Sequence, residues 1–139
     1  MQTFWDKENN LSQKVAMWGK VIVSSGVSTW IAYDAENNSV GFISYFTKDR
    51  ECEITTLYIL PQYQGLGLGS KLMYAAIDDI FQYDRCSALS LWVLKTNLTA
   101  INFYEKFDFK SDGQCDEELH EDTKIIDIRM VKLLWYLLF

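Results

Sequence analysis

The stretch Gln64-Gly-Leu-Gly-Leu-Gly-Ser70 lies between a predicted strand and a predicted helix, and it decides how this chain folds. The strand covers 53–60 and ends at Pro61, because proline lacks the N–H that a sheet ladder needs. The helix places its apolar residues on one face: Leu72, Met73, Ala76, Ile77 and Ile80. A strand, a glycine-rich turn and a helix in this order are typical of a phosphate-binding loop, since glycines let backbone N–H groups approach an anion at a helix N-terminus.

The spacing of the glycines excludes two well-known phosphate loops. A Walker A loop needs a lysine directly after its last glycine, but Ser70 follows Gly69. A dinucleotide-binding fingerprint needs a further glycine at position 70 or 72, where the chain has Ser70 and Leu72. A tight turn that serves only helix–strand packing remains the alternative to a phosphate loop.

Hydrophobic periodicity predicts the elements on either side of the loop. In chain order they are a helix over 11–25, strands over 28–33, 40–46 and 53–60, the helix after the glycines, a strand over 88–94, a helix from the N-cap Asn97 to about Lys106, a strand starting within 107–110 and a strand over 124–132. Residues 21–23 also fit a strand. No linker or repeat divides the chain, so we expect one domain over 1–139, with an α/β (α+β) fold of helices packed on a single sheet.

Composition narrows the classes of partner. The 139 residues carry 19 acidic and 13 basic side chains, a net charge of −6, which argues against nucleic acid and favours a cationic partner such as an amine. The longest apolar run, 133–139, is far below the roughly 20 residues that span a bilayer, so we expect no membrane partner. Three cysteines without a C-x-x-C pair argue against a disulfide framework and a metal site, and they favour a cytoplasmic protein.

The glycine stretch resembles the phosphate loop of the GNAT superfamily, the acyl-CoA-dependent N-acyltransferases. That loop has the pattern Q/R-x-x-G-x-G/A, and the residues from Gln64 to Gly69 match every fixed position. A second stretch, Asn97-Leu-Thr-Ala-Ile-Asn-Phe-Tyr-Glu-Lys-Phe-Asp-Phe109, resembles the family pattern N-x-x-A-x-x-F/Y-Y-E-K-x-G-F. Two motifs in the family's order extend the resemblance over about 28–132.

The resemblance implies a GNAT-like fold, with a single mixed and mostly antiparallel sheet flanked by helices. The family places a strand and two helices before its first hairpin, whereas this chain offers only 1–27 there. We therefore expect a shortened N-terminus whose first strand is absent or irregular. Asp108 stands where the family has a glycine that often needs a positive φ, and aspartate tolerates that conformation at a small local cost.

The resemblance also implies acetyl-CoA, or another acyl-CoA, as co-substrate, and we expect no metal. The pantetheine arm would pair with the third strand, where the family's strand parts from its neighbour at a bulge, and the Leu57 N–H would polarise the thioester carbonyl. Asn97 would lie near the cofactor, although a plain helix cap explains it nearly as well. The predicted cofactor-binding residues are Leu57, Tyr58, Ile59, Gln64, Gly65, Leu66, Gly67, Leu68, Gly69, Ser70, Asn97 and Tyr104.

Tyr104 and Glu53 are the predicted catalytic residues. Tyr104 matches the family tyrosine that can protonate the departing thiolate, and a packed core aromatic is its alternative role. Glu53 precedes Gln64 at the spacing at which some protein-lysine acetyltransferases of the superfamily carry a basic glutamate, and a partly buried carboxylate gains base strength. Its alternative role is a solvent-facing strand residue beside Arg50 or Lys48, in which case water and backbone carbonyls would take the proton.

The resemblance therefore implies an N-acetyltransferase that moves an acetyl group from acetyl-CoA to a primary amine, by direct attack in a ternary complex. The acceptor would be a small cationic amine or a protein or peptide amine, attracted by the acidic stretch 116–122 between the last two strands. A solvated turn without function is the alternative for that stretch. Two other classes remain open: an inactive acyl-CoA-binding module, and an interaction protein that uses the apolar tail 133–139. An exposed apolar tail could also pair two copies as a homodimer.

Overall fold

The computed structural model of the protein describes residues 15–23, 26–82 and 86–134, and of 15–23 it describes the backbone. The strands are β1 (Val15–Val23), β2 (Val27–Asp34), β3 (Ser39–Lys48), β4 (Glu51–Ile59), β5 (Ala88–Leu94), β6 (Lys110–His120) and β7 (Thr123–Leu133). The helices are α1 (Leu68–Gln82) and α2 (Leu98–Glu105), and a short 3₁₀ turn covers Pro61–Tyr63. Among the described residues, no helix is both long and apolar enough to cross a membrane.

The described strands form one seven-stranded sheet in the order β1-β2-β3-β4-β5-β7-β6. Neighbouring strands are antiparallel except for β4 and β5, which run parallel. Because two parallel strands need a crossover connection, α1 lies between them in the chain. The predicted architecture, one mixed and mostly antiparallel sheet flanked by helices, is confirmed.

The two faces of the sheet differ in what covers them. Ala32, Ile43 and Ile54 are buried on the side where α1 packs, and we call this side the helix face. α2 adds Ala100, Ile101, Phe103 and Tyr104 to the same core. Because side chains alternate along a strand, the residues between the buried ones point to the other side, which we call the open face. The open face of β2, β3 and β4 carries Thr29, Ile31, Phe42, Ser44, Phe46, Glu53, Thr56 and Tyr58.

α1 holds the centre of the helix face, as its periodicity predicts. Leu72, Met73, Ala76 and Ile80 are all fully buried there. Burial of one leucine or isoleucine side chain contributes about 1.5–3 kcal/mol relative to exposure. The apolar stripe of α1 therefore contributes a large share of the core that fixes β3 and β4 in place.

β1 contradicts the predicted helix over 11–25. Its backbone pairs antiparallel with β2, from Val15 opposite Asp34 to Val23 opposite Val27. The helical spacing of apolar residues is misleading here, because the β-branched run over 21–23 favours a strand and β2 offers a ladder of backbone partners. Residues 11–14 and 24–25 lie outside the described residues.

A strand therefore precedes the first hairpin, so the expectation that it is absent is wrong. β1 does carry one register shift, between Val15 and Met17. Only residues 24–26 separate β1 from β2, and a single helical turn already needs about 3.6 residues. The two helices that the family resemblance implies do not fit between these strands.

The acidic stretch 116–122 is mostly strand, although the sequence places it in a turn. Residues 116–120 belong to β6, and only Glu121 and Asp122 form the turn, with φ of 50° and 64°. A positive φ at both central residues is typical of a type I′ hairpin turn, which matches the twist of the flanking strands. β6 starts at Lys110, and His120 is exposed at its end.

Cys52 and Cys86 form a disulfide, which contradicts the expectation of no bridge. Their Cα atoms are 6.0 Å apart and both side chains are buried, while Cys115 is free and exposed. The parallel pairing of β4 with β5 brings the two cysteines together. A separation of 34 residues carries no sequence signal for such a contact, which is why cysteine spacing alone does not find it.

Asp108 takes the positive φ that the sequence predicts for it. Its φ is 68°, three residues beyond the end of α2. The N–H of Phe109 donates to the carbonyl of Tyr104 (3.2 Å), and the N–H of Asp108 donates to the carbonyl of Glu105 (3.0 Å). This pair of bonds is a Schellman motif, which satisfies carbonyl groups at the helix end.

Candidate functional site

β4 changes its neighbours at Thr55. Tyr45 of β3 lies opposite Ile54, but Ser44 lies opposite Thr56, so Thr55 is an extra residue that forms a β-bulge. The parallel pairing of β4 with β5 covers only residues 51–54 of β4. Beyond the bulge, β4 keeps β3 as its hydrogen-bonding partner and parts from β5. This is the splayed arrangement that the family resemblance implies for this strand.

The backbone of Leu57 and Ile59 points into the gap between β4 and β5. The N–H of Leu60 donates to the carbonyl of Val40 in β3 (2.9 Å). Since backbone groups alternate in direction along a strand, those of Leu57 and Ile59 point away from β3. The carbonyl of Ile59 accepts a hydrogen bond from Nε2 of Gln64 (3.0 Å), which agrees with that direction. Leu57 thus offers its N–H to the gap.

The glycine loop leads directly into α1. Gly65 and Gly67 have φ of 77° and 82°, the left-handed region that glycine adopts without a steric penalty. α1 begins at Leu68, and the N–H of Lys71 donates to the carbonyl of Gly67 (3.2 Å). The first N–H groups of a helix have no partner within the helix, so those before Lys71 are directed at the space in front of α1.

α2 forms the opposite wall and carries Tyr104. Oδ1 of Asn97 accepts from the N–H of Ala100 (3.2 Å), so Asn97 caps α2 as the sequence predicts. Tyr104 is half-buried, and its ring lies 5.4 Å from the ring of Phe103 and 5.8 Å from that of Phe109. Loss of water around the hydroxyl raises the pKa of Tyr104 above its ordinary value, so the phenol keeps its proton at neutral pH.

The gap, the glycine loop and α2 enclose one cleft of about 570 Å³. It is lined by all the predicted cofactor-binding residues except Leu66, and Asn97 lines it in addition to capping α2. Tyr63, Thr99, Ala100, Phe103 and Lys106 line it as well, although the sequence does not single them out. Thr99, Ala100, Phe103 and Lys106 lie within the second matched motif. Ala100, Phe103 and Lys106 stand at fixed positions of its pattern, so the motif itself could have found these three.

Tyr63 belongs to the 3₁₀ turn that connects β4 to the glycine loop. Its hydroxyl donates to Oδ2 of Asp34 at 3.4 Å. Desolvation is the main cause that raises the pKa of Tyr63, and the charge of Asp34 adds to it. The backbone N–H of Asn38 is the main cause that lowers the pKa of Asp34. The contact ties the β2–β3 turn to the entrance of the loop.

Glu53 lies outside the cleft. It is half-buried on the open face, opposite Phe46 of β3 and Ser90 of β5. Because the bulge reverses the alternation, Leu57 points to the helix face while Glu53 points to the open face. A ligand that contacts the carboxylate of Glu53 must therefore approach the gap from the open face.

The chemistry of the cleft fits an acyl-CoA. Within the described part of the chain, no residue that lines the cleft is acidic and Lys106 is basic, although the net charge of the protein is −6. The N–H groups at the start of α1 suit a pyrophosphate, and the edge of β4 at Leu57, which β5 does not pair with, suits the amides of a pantetheine arm. Among the described residues, no group of three or more histidine, cysteine, aspartate and glutamate side chains could hold a metal ion.

The acetyltransferase (GNAT) family matches residues 3–109, and the chain belongs to this family. The spermine/spermidine N(1)-acetyltransferase of Bacillus subtilis (strain 168) is 29% identical over 89 residues, which are 58% of this chain and 59% of that protein. The spermidine N(1)-acetyltransferase of Vibrio cholerae is 23% identical over 141 residues, 96% of this chain and 80% of that protein. The chain thus spans just over half the length of the first of these relatives.

Solved structures agree with the fold. A mutant form of the spermidine/spermine N-acetyltransferase SpeG from Vibrio cholerae superimposes with a TM-score of 0.71 at 24% identity, covering 82% of this chain and 71% of that one. NAA60 of Arabidopsis thaliana, in complex with a bisubstrate analogue, superimposes with a TM-score of 0.68 at 16% identity, covering 79% and 76%. At these identities the likeness concerns the fold.

Proposed function

We propose that this protein transfers an acetyl group from acetyl-CoA to a primary amine, by direct attack in a ternary complex. The observation that carries the proposal is the cleft where β4 parts from β5. It has a glycine loop and a helix N-terminus at one end, an edge of β4 that β5 does not pair with along its side, and Tyr104 in its wall. Membership of the GNAT family supports the use of acetyl-CoA.

Each part of the cleft has its own binding role in this proposal. The N–H groups of residues 65–70 hold the pyrophosphate, and the Gln64 side chain fixes the carbonyl of Ile59 at the turn into the loop. Leu57, Tyr58 and Ile59 pair with the pantetheine arm as an added strand would. Leu66 contributes through its backbone position between two glycines, although its side chain lies outside the cleft lining.

Bound acetyl-CoA would supply an activated carbonyl that a neutral amine can attack. The N–H of Leu57 then stabilises negative charge on the carbonyl oxygen. Tyr104 holds its proton at Oη, because burial raises its pKa, and can give that proton to the departing sulfur. Glu53 takes a proton from the amine, directly or through a water, from the open-face side of the gap.

The wider setting is part of the same proposal. The protein acts as one domain over 1–139 and needs no metal. Its acceptor is a small-molecule or peptide amine, which the net charge of −6 supports. Nucleic acid and membranes are not among its partners. A homodimer remains a proposal that gel filtration tests.

We keep the cytoplasm as the proposed compartment. A count of free thiols on protein taken from cells tests this, since a bridge such as Cys52–Cys86 is rare in reducing compartments.

Thermal unfolding with acetyl-CoA, free CoA and a nucleotide unrelated to CoA tests the donor site first. A ligand at 100 times its Kd stabilises the folded state by about 2.7 kcal/mol. We expect both CoA species to raise the unfolding temperature and the unrelated nucleotide to leave it unchanged. No shift at saturating acetyl-CoA would refute the donor site.

Turnover with a panel of primary amines tests the reaction itself. Release of free CoA, followed with a thiol reagent, is expected for at least one amine and not without an amine. A CoA-dependent thermal shift with no turnover on any amine would instead favour a catalytically inactive acyl-CoA-binding module.

A further inference from the structure

A second cavity lies on the open face, beside the gap but across β4 from the glycine loop. Its volume is about 250 Å³, and its walls include Thr29 and Ile31 of β2, Phe42 of β3 and Tyr58 of β4. These residues face the same side because Ile31 lies opposite Phe42 and Phe42 lies opposite Tyr58. None of the described residues that line this cavity carries a charge.

Tyr58 lines both the cleft of the glycine loop and the open-face pocket, and it is 45% exposed. Its ring centroid lies 6.2 Å from that of Phe42, so the two aromatics form one apolar surface. Tyr58 is the direct neighbour of Leu57, whose N–H points into the gap. The pocket therefore starts where the acetyl group would be delivered.

The distance from the gap to the pocket matches the size of an amine substituent. Neighbouring strands lie about 4.8 Å apart, so Phe42 of β3 and Ile31 of β2 lie roughly 5–10 Å from the edge of β4. Sites that enclose a whole drug-sized ligand have roughly 300–1,000 Å³, more than this pocket offers. It has room for one group of side-chain size.

β3 and β4 approach each other closely at Gly41, which lies opposite Ile59 and whose backbone also lines the pocket. A Cβ at Gly41 would lie 2.8 Å from Cδ1 of Ile59 and 2.9 Å from the carbonyl oxygen of Tyr58. A larger residue would push β4 away and change both cavities.

We propose that the open-face pocket binds the apolar group of the acceptor amine, and that it makes the protein prefer amines with a phenyl-sized substituent to polyamines. This inference rests on the proposed function. A second ammonium group would lose water in the pocket without meeting a carboxylate, which is costly, whereas a phenyl group gains from apolar burial. The amine can be a free arylalkylamine or the α-amine of a peptide that begins with an apolar residue.

Matched substrates test this preference on the unmodified protein. With saturating acetyl-CoA, we expect kcat/KM for 2-phenylethylamine to exceed that for ethylamine by at least tenfold, and to exceed that for spermidine. Two peptides that differ only in an N-terminal phenylalanine or glycine separate the sources: preference for the phenylalanine peptide over 2-phenylethylamine identifies a peptide acceptor, and the reverse identifies a free amine. Equal kcat/KM for 2-phenylethylamine and ethylamine, or the highest value for spermidine, would overturn the proposal.

A pair of variants locates the effect. Ile31→Gln puts an amide into the pocket wall, and Leu133→Gln makes the same kind of change at an exposed position of β7, opposite the start of β5 and away from the gap. We expect Ile31→Gln to lower kcat/KM for 2-phenylethylamine about tenfold and to leave that for ethylamine unchanged. Leu133→Gln should change neither.

The outcomes separate this proposal from the one it rests on. An equal loss for both amines in Ile31→Gln would overturn the pocket assignment while acetyl transfer stands. If no amine is acetylated and acetyl-CoA gives no thermal shift, the proposed function fails and this inference fails with it. The substrate comparison uses the unmodified protein, so it decides the matter even if Ile31→Gln does not fold.

Discussion

The two halves of β4 lie in different surroundings. Residues 51–54 have β3 on one side and β5 on the other, and Cys52 and Ile54 are buried. Residues 57–59 have β3 on one side, and Leu57 and Ile59 are half-buried beside the cleft. The first half uses its backbone groups within the sheet, whereas the second half keeps one set available for a ligand. We therefore expect the first half to contribute mainly to folding stability and the second mainly to binding and catalysis.

The bulge at Thr55 makes this division possible. In an unbroken strand Leu57 would face the side opposite to Ile54, because a shift of one residue moves every later side chain to the other face. With Thr55 as an extra residue, Leu57 and Ile59 pack on the helix face together with Ile54. The strand thus bends away from β5 without giving up its core.

We expect the largest effect from replacing Tyr104, which tests whether the cleft beside residues 57–59 carries out catalysis. Tyr104→Phe removes the proton that the leaving sulfur needs, so we expect kcat to fall by about 10²–10⁴-fold, as removal of a general acid typically does. The acetyl-CoA thermal shift should persist, because the ring still packs against Phe103 and Phe109.

Tyr63→Phe is the matched control, since Tyr63 also lines the cleft but its hydroxyl bonds to Asp34. Its kcat should stay close to that of the unmodified protein. If Tyr104→Phe keeps kcat within twofold, Tyr104 is a packing residue and not the acid.

Truncation of one apolar side chain in each half tests the division of stability. Ile54 is 5% exposed, so Ile54→Ala should lower the free energy of unfolding by about 2–5 kcal/mol. Leu57 is only half-buried, and Leu57→Ala should cost less than half as much while acetyl-CoA affinity falls. Urea unfolding and ligand titration measure both quantities. Equal destabilisation by the two variants would contradict the division.

The sequence predicts the elements around the cleft better than it predicts the edges of the sheet. β5, α1 and the Asn97 cap follow from local periodicity and turn chemistry, and Asp108 takes its predicted conformation. The helix predicted over 11–25 is wrong because an edge strand such as β1 forms through its pairing with β2, and the spacing of nearby residues gives no information about that pairing. The sequence analysis misses the Cys52–Cys86 bridge for a similar reason, since the bridge arises from the parallel pairing of strands that are distant in sequence.

Within the site, chemistry-bearing side chains are easier to predict than backbone geometry. The glycine motif and Tyr104 are visible as residues, and the structure brings them to one cleft. The position of the bulge is not visible, because Thr55 and Thr56 are chemically alike and only the register with β3 distinguishes them. The separation of Glu53 from the cleft follows from that register and could not be predicted without it.

Replacing a glycine by alanine at two positions separates the effect of backbone strain from the effect on ligand binding. Gly65 lies in the loop that follows β4, and Gly113 lies in β6. Gly65 and Gly113 have φ of 77° and 88°, and at either position an added Cβ would meet no atom within 4 Å. Both Gly65→Ala and Gly113→Ala should therefore destabilise the fold by about 1–2 kcal/mol, the cost of a left-handed conformation.

Acetyl-CoA affinity should fall only in Gly65→Ala, by about tenfold, which corresponds to about 1.4 kcal/mol. Titration followed by intrinsic fluorescence measures it, and Gly113→Ala in the exposed β6 is the control. Equal affinity in both variants would mean that the loop backbone does not contact the donor.

The pH dependence of stability gives the smallest expected effect and tests the surroundings of Tyr104 directly. Burial raises the pKa of Tyr104 in the folded protein above the ordinary value of about 10. The folded state then keeps a proton that the unfolded chain loses, so this stabilisation is complete below about pH 10 and is lost as pH rises through the raised pKa. Urea unfolding of the unmodified protein and of Tyr104→Phe between pH 8 and 11 isolates the contribution, because Tyr63 titrates alike in both. The unmodified protein should lose more stability than the variant above pH 10. Parallel curves over the whole range would show that the hydroxyl is as well hydrated in the folded state as in the unfolded chain. The cleft would then not favour the protonated form of Tyr104.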